Sequence, residues 1–361
     1  MRITFILPVV HQNGGCRVVS IYAQKLIDMG HTVTVVARKP FPKKALRKGI
    51  DFLKNGHSLR EEPNRTAYFD NLDEHFWEIE HTGPFRPEDL PDADIAIATW
   101  WRTAFFLNTM PPQKGKKAYF VQGHEATFDS DQNYLAHGSY YLPLKKIVIS
   151  QWLQDIMADT YGDRDVFKVT NSVDTTQFDA STRARNTCPT VGFIFSRSQI
   201  KGADTALEAL EQLKKMQPKL KVKAFGIDQP NAPLALPSFC DFTRFPKQED
   251  IPSLYASCDV WLSASRSEGF GLPIMEAMAC RTPVVSTSTG AAKDLITDDV
   301  NGYVVDVGDA KALATRMNDI LALSPEAWSS MSEAAYQQAH SRNWDTSAKE
   351  FETALKSIFA A

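Results

Sequence analysis

The sequence predicts an α/β protein of two doubly wound domains facing each other across a cleft. Three observations carry this. The chain has 361 residues, more than one hydrophobic core ordinarily serves. In both halves, short apolar runs of strand length alternate with longer stretches of helical period. Between the halves lies a polar stretch, Asp179 to Thr187, with the composition of a linker.

Taken in order, Ile3 to Val10 reads as a buried strand and His11 to Gly15 as a turn. Arg17 to Met29 has helical period, Gly30 closes that helix, and His31 to Ala37 is the next strand. Strand, glycine turn, helix, strand is a βαβ unit. Ile95–Ala98, Ala118–Val121, Lys146–Ile149 and Val166–Thr170 extend a mostly parallel sheet. After the linker, strands are expected at Thr190–Phe195, Leu220–Phe225, Val260–Ser263, Pro283–Ser286 and Gly302–Val305. Helices fit Ala203–Met216, Ile251–Ser257, Pro273–Cys280 and Ala310–Leu321. From Pro325 to Ala361 the pattern is helical, broken near Ser341–Asn343.

Composition excludes several classes. Apolar residues make up 43%, enough for packed cores, and a formal net charge of -3 argues against a nucleic-acid binder. The five cysteines, Cys16, Cys188, Cys240, Cys258 and Cys280, include no C-x-x-C pair, which suits a reducing compartment. The apolar run at Met1 to Pro8 is too short for a leader, and no run reaches membrane-span length. The expectation is a cytoplasmic protein, free or peripheral to the inner face of a membrane. No histidine pair has metal-ligand spacing on a predicted helix, so no metal site is expected.

Ligands of such sheets bind beyond the carboxyl ends of the strands, so chemistry is sought just after each strand. The most informative stretch is Ser267–Ala279, where a glycine turn with two carboxylates runs into an apolar helix. Eight positions apart on one helix, Glu268 and Glu276 would point about 80° away from each other. Glu268 therefore belongs to the loop and Glu276 to the helix opened by Pro273. An acid in an apolar helix needs a partner, either a sugar or ribose hydroxyl or simply a basic residue. Gly269 and Gly271 permit close backbone approach, and the amides of Phe270 to Leu272 at a helix start suit a phosphate. Gly14–Gly15 occupies the phosphate-loop position after the first strand but lacks the G-x-G-x-x-G pattern of a dinucleotide site; a plain tight turn is the alternative. Lys201 and Arg197, after the strand ending at Phe195, are candidates to neutralise a diphosphate. His124, after the strand ending at Val121, is a candidate to position a reacting hydroxyl. Gly226, which ends the strand from Leu220, completes the candidate ligand-binding set. Arg38 to Lys48 holds six basic residues in eleven and would suit an anionic acceptor, an acidic membrane surface or solvent alone, with Lys114, Lys116 and Lys117 as additions.

With these residues placed, the chain resembles the retaining nucleotide-sugar glycosyltransferases of the family-4 group, which have the GT-B architecture of two Rossmann-like domains. The resemblance spans nearly the whole chain. It rests on Glu268…Glu276 with Gly-Phe-Gly-Leu-Pro between, on Thr289–Asp294, on Asn301–Val305, and on Gly14–Gly15, Gly30–Val33 and Lys201–Gly202. It implies that Glu276 holds the donor ribose and that Glu268 with Gly269, Phe270 and Gly271 engages the donor sugar and diphosphate. Lys201 and a nearby arginine would neutralise the diphosphate, Gly15 would approach it from the first domain, and His124 would lie near the anomeric carbon. It also implies that the helix at 345–361 crosses back onto an acceptor-side domain at 1–178, leaving the donor domain at 187–340. No metal or other cofactor is implied. The chain departs from the pattern at Ser196, where the arginine is usual and Arg197 is one position on, at Thr170–Ser172, and at Ala291.

The reaction so implied moves a hexosyl unit from a nucleoside diphosphate sugar to a carbohydrate or lipid-linked glycan acceptor, in bacterial surface polysaccharide or glycan assembly. A nucleotide-sugar epimerase of the same architecture and a non-catalytic nucleotide-sugar or polysaccharide-binding protein are the competing readings. An NAD-dependent dehydrogenase is disfavoured by the missing glycine fingerprint.

Overall fold

The computed structural model describes residues 1–11, 13–39, 67–127 and 133–361. Its first sheet contains β1 (Arg2–Val9), β2 (Thr32–Arg38), β3 (Phe76–Ile79), β4 (Ile95–Ala98), β5 (Lys116–Val121), β6 (Lys145–Val148) and β7 (Val166–Lys168). They lie in the order β3-β2-β1-β4-β5-β6-β7, every pair parallel. The second sheet contains β8 (Thr190–Ile194), β9 (Lys221–Gly226), β10 (Cys240–Arg244), β11 (Val260–Ser263), β12 (Val284–Thr287) and β13 (Gly302–Val305). It is also parallel throughout, in the order β10-β9-β8-β11-β12-β13. Both orders reverse beside the first strand of the domain, and ligand crevices open at that point. Two doubly wound domains are thus present, as the alternation of elements predicts.

The central strands are apolar without alternation because helices cover both faces: all four residues of β4, Ile-Ala-Ile-Ala, are buried. The edge strands β3 and β10 were not expected from the sequence. Their burial is partial, and neither Phe-Trp-Glu-Ile nor Cys-Asp-Phe-Thr-Arg makes a sustained apolar run. The first helix, α1 (Gly14–Asp28), starts earlier than its period suggests. Asn13 is extended and its side chain accepts the amide of Cys16 at 2.9 Å, so Gly14 and Gly15 form the first helical turn rather than a loop.

The remaining helices are α2 (Trp101–Thr109), α3 (Asn133–Ser139), α4 (Gln151–Tyr161), α5 (Ala203–Met216), α6 (Ile251–Ala256), α7 (Leu272–Ala279), α8 (Ala292–Leu295), α9 (Ala310–Ala322), α10 (Pro325–His340) and α11 (Trp344–Ala360). From Ile274 to Ala279, α7 is buried on every side, the pattern of a helix inside a core. At the break after α10, the Asn343 side chain accepts the Thr346 amide at 2.9 Å and starts α11. The α11 helix packs on the first sheet. Phe351 stacks on Tyr22 with centroids 4.5 Å apart and meets Phe120 edge-on at 5.1 Å, while Trp344 meets Tyr22 at 5.6 Å. Ser347 donates to the Thr170 carbonyl at 2.7 Å, and His31 Nε2 lies 2.9 Å from Glu352. Among the described residues no helix is long and apolar enough to cross a membrane.

Candidate active site

The carboxyl ends of the two sheets face each other around a cleft of about 540 Å³. Its walls come from the start of α1, the segment Gln122–His124 after β5, Lys201 after β8, and the loop Ser267–Gly271 with the first residues of α7. Sequence segments hundreds of residues apart therefore meet here, each just after a strand.

The loop after β11 is seated against the first domain. Gly269 lies so close that a Cβ there would come within 1.8 Å of the Gln122 carbonyl oxygen, so only glycine fits. Ser150 donates to the Gly269 carbonyl at 2.8 Å, and Thr127 donates to Ser267 Oγ at 2.9 Å. Gly271, at φ +90°, is the left-handed residue from which α7 starts. Phe270 points into the core, 3% exposed, and its carbonyl accepts the Ala291 amide.

The two glutamates have different surroundings. Glu268 Oε1 accepts from Lys201 Nζ and from Ser265 Oγ, each at 2.7 Å. Glu276 is buried in α7, where Oε1 accepts from Arg17 Nη1 at 3.2 Å and Oε2 from the Tyr255 hydroxyl at 2.8 Å. Burial pushes the Glu276 pKa up, and the Arg17 charge and these hydrogen bonds oppose the shift. His124 is half-buried on the first-domain wall, with Nε2 2.7 Å from the Tyr161 hydroxyl. Burial first, and then the nearby His137, lower its pKa to about 4, so the ring is neutral at pH 7.

The structure thus brings together His124, Lys201, Glu268, Glu276, Gly14, Gly15 and the run Gly269 to Leu272. It does not bring Arg197 to them. The Arg197 amide donates to Asp228 at 2.8 Å and its guanidinium bonds the Asn231 side chain. Nor does Gly226 line the cleft: it packs under the Phe195 carbonyl, where a Cβ would stand 2.1 Å from the oxygen. The cleft cation that sequence reasoning missed is Arg17, together with Tyr255. The available signal was the position of Arg17, two residues beyond Gly15 and one turn into the helix that follows β1.

A second cavity, of about 560 Å³, opens in the first domain beyond β1 and β4, lined by Arg38, Phe85, Trp100, Arg102, Phe106 and Glu125 among others. The Arg102 guanidinium lies over Trp100 and Trp101, 5.2 and 4.8 Å from their ring centroids. Glu125 is buried and accepts from the Trp101 amide and the Tyr119 hydroxyl; burial outweighs these bonds and pushes its pKa up to about 8. Of the basic stretch Arg38–Lys48, only Arg38 and Lys39 fall within the described residues. Lys116 and Lys117 begin β5, at the end of the sheet away from the cleft, and Lys114 is tied to Asp92 and the Leu90 carbonyl. They therefore do not add to a basic surface at the cleft. Among the described residues no three His, Cys, Asp or Glu side chains gather as a metal site would require.

This fold and cleft define a GT-B glycosyltransferase architecture. Residues 174–338 match the family described as glycosyl transferases group 1. Among curated proteins, a D-inositol 3-phosphate glycosyltransferase of Salinispora tropica is 30% identical over 178 residues, 44% of this chain and 36% of that protein. A GDP-mannose-dependent alpha-(1-6)-phosphatidylinositol monomannoside mannosyltransferase of Mycolicibacterium smegmatis is 30% identical over 136 residues, 34% of this chain and 36% of that one. The chain therefore matches little more than a third of the length of these relatives. Among solved structures, a sucrose-phosphate synthase from Thermosynechococcus elongatus superposes with a TM-score of 0.75 at 18% identity, covering 100% of this chain and 99% of that one. The Anabaena protein HepE in complex with UDP-glucose gives 0.74 at 18% identity, covering 99% and 100%. At such identities the likeness establishes the fold.

Proposed function

We propose that the protein is a retaining glycosyltransferase that moves a hexosyl unit from a nucleoside diphosphate sugar to an acceptor hydroxyl. The observation that carries this is the pairing of two glutamates with two cations around a glycine-seated helix start, between two parallel sheets. Such a site offers hydroxyl acceptors, phosphate partners and a backbone close enough to wrap a donor. In this reading the Glu276 carboxylate takes the ribose hydroxyls. The Gly269–Leu272 backbone and Lys201 take the diphosphate, and Glu268 takes the transferred sugar.

Catalysis follows from charge. The bond from the anomeric carbon to the diphosphate oxygen breaks while negative charge builds on the leaving group, and fixed cations in a water-poor cleft stabilise that charge. His124, neutral, hydrogen-bonds near the reacting carbon without adding a competing cation. The acceptor enters on the first-domain side, through the cavity lined by Trp100 and Arg102. The side-chain cations carry the charge of the leaving group, so the reaction is proposed to proceed with no metal or other cofactor. Relatives named for inositol-phosphate and phosphatidylinositol mannoside acceptors support a role in bacterial glycan assembly. A cytoplasmic location within reach of a lipid-linked acceptor belongs to the same reading.

The test is a panel of UDP-glucose, UDP-N-acetylglucosamine and GDP-mannose, read first as a shift in melting temperature and then by product analysis in chelator. A true donor at a hundred times its Kd stabilises the fold by about 2.7 kcal/mol. With acceptor, it yields free nucleoside diphosphate and a new bond of unchanged anomeric configuration. An altered nucleotide sugar would instead mark an epimerase, and binding without transfer a non-catalytic protein.

A further inference from the structure

We infer that Arg17 is the first domain's grip on the donor diphosphate, and that it exchanges Glu276 for the phosphates to make that grip. The inference rests on the reading of the cleft as a nucleoside diphosphate sugar site.

Arg17 stands on α1 in the first domain, yet its guanidinium reaches across to the second. Nη1 bonds Glu276 at 3.2 Å, Nη2 bonds Gln177 Oε1 at 2.9 Å, and Cζ lies 5.6 Å from the Phe178 ring centroid. On the other wall Lys201 holds Glu268 at 2.7 Å. Arg17 and Lys201 are the Lys and Arg side chains among the described residues lining the cleft. Each glutamate is thus matched by one cation.

Both cations already face a carboxylate, so an incoming diphosphate gains a charged hydrogen-bond partner only if one of them turns to it. Arg197 is turned to Asn231 and supplies no help. Arg17 is built for the exchange. Its planar fork bonds phosphate oxygens in pairs, and Gln177 and Phe178 steady the guanidinium while Nη1 changes partner. Glu276 loses one charged bond, keeps Tyr255, and takes the ribose hydroxyls that arrive with the donor. Ribose and phosphate are joined in one ligand, so both exchanges occur together. The phosphate then bridges a first-domain cation and the second-domain loop, which ties donor binding to closure of the cleft.

The experiment compares UDP and GDP with uridine and guanosine, by isothermal titration or by NMR for the weaker nucleosides. It is done on the wild type and on Arg17→Gln, Arg17→Lys and Arg197→Gln. The quantity read is the ratio of nucleoside Kd to nucleoside diphosphate Kd, which isolates the phosphates from any general loosening of the site. Arg17→Gln is expected to cut the ratio about ten- to a hundredfold. Arg17→Lys should fall between it and the wild type, and Arg197→Gln should keep the wild-type ratio. An unchanged ratio in Arg17→Gln overturns the inference even if both affinities drop, as does a larger loss in Arg197→Gln. Failure of the wild type to bind any of the diphosphates would instead overturn the donor reading, and this inference with it.

Discussion

His124 shows how burial sets the chemistry available to one side chain. Its pKa of about 4 lies below the ordinary value of 6.5, with burial as the main cause. As pH falls, the unfolded chain takes up this proton before the folded one does. The neutral ring therefore supports the fold above pH 6.5, and that support is lost as pH falls toward 4. Replacing His124 with Ala should cut kcat about a hundredfold while changing donor KM only a few-fold. Urea unfolding of the variant should also respond less to pH between 6.5 and 4 than that of the wild type. Unaltered kcat would remove His124 from the reacting centre. At this scale the sequence was informative wherever a residue directly follows a strand, as with His124, Lys201 and Glu268. It failed for Arg17, whose place on a helix face resembles any solvated arginine until the opposing domain is in position. It misplaced Arg197 because the loop after β8 turns toward Asp228 and Asn231, a tertiary choice no local pattern encodes.

Among the elements, the loop before α7 is the least tolerant of change. Gly269 meets backbone of the other domain, and backbone cannot step aside as a flexible side chain can. Gly269→Ala should therefore hold the cleft apart by about an ångström, and misplacement on that scale costs turnover about a hundredfold. Both sheets should still form, so far-UV circular dichroism should match the wild type while kcat/KM falls. Wild-type kcat/KM would mean that the working form does not use this contact. Helices were legible where period and caps agree: α5 spans the residues its amphipathic pattern marks. Edge strands were not legible, since β3 and β10 gain their partner on one side only and need no apolar run to do so.

For the molecule as a whole, the decisive element is α11, which carries the end of the described chain back to the first sheet. Phe351 is fully buried between Tyr22 and Phe120. Phe351→Ala should cost about 3–5 kcal/mol in urea unfolding, and a loss below about 1 kcal/mol would show the helix to be a passive cover. The sequence marks α11 as helical, but its apolar stripe does not say which domain it covers; only packing does. That placement also has a consequence in time. Ribosomes add about 5–20 residues per second, so roughly nine to thirty-five seconds separate β7 from the arrival of α11. Through that interval the apolar patch around Tyr22 and Phe120 is left without its cover while the second domain is still being made. The half of the chain that is made first is sealed last, and chaperones that shield nascent apolar surface should find their main client there.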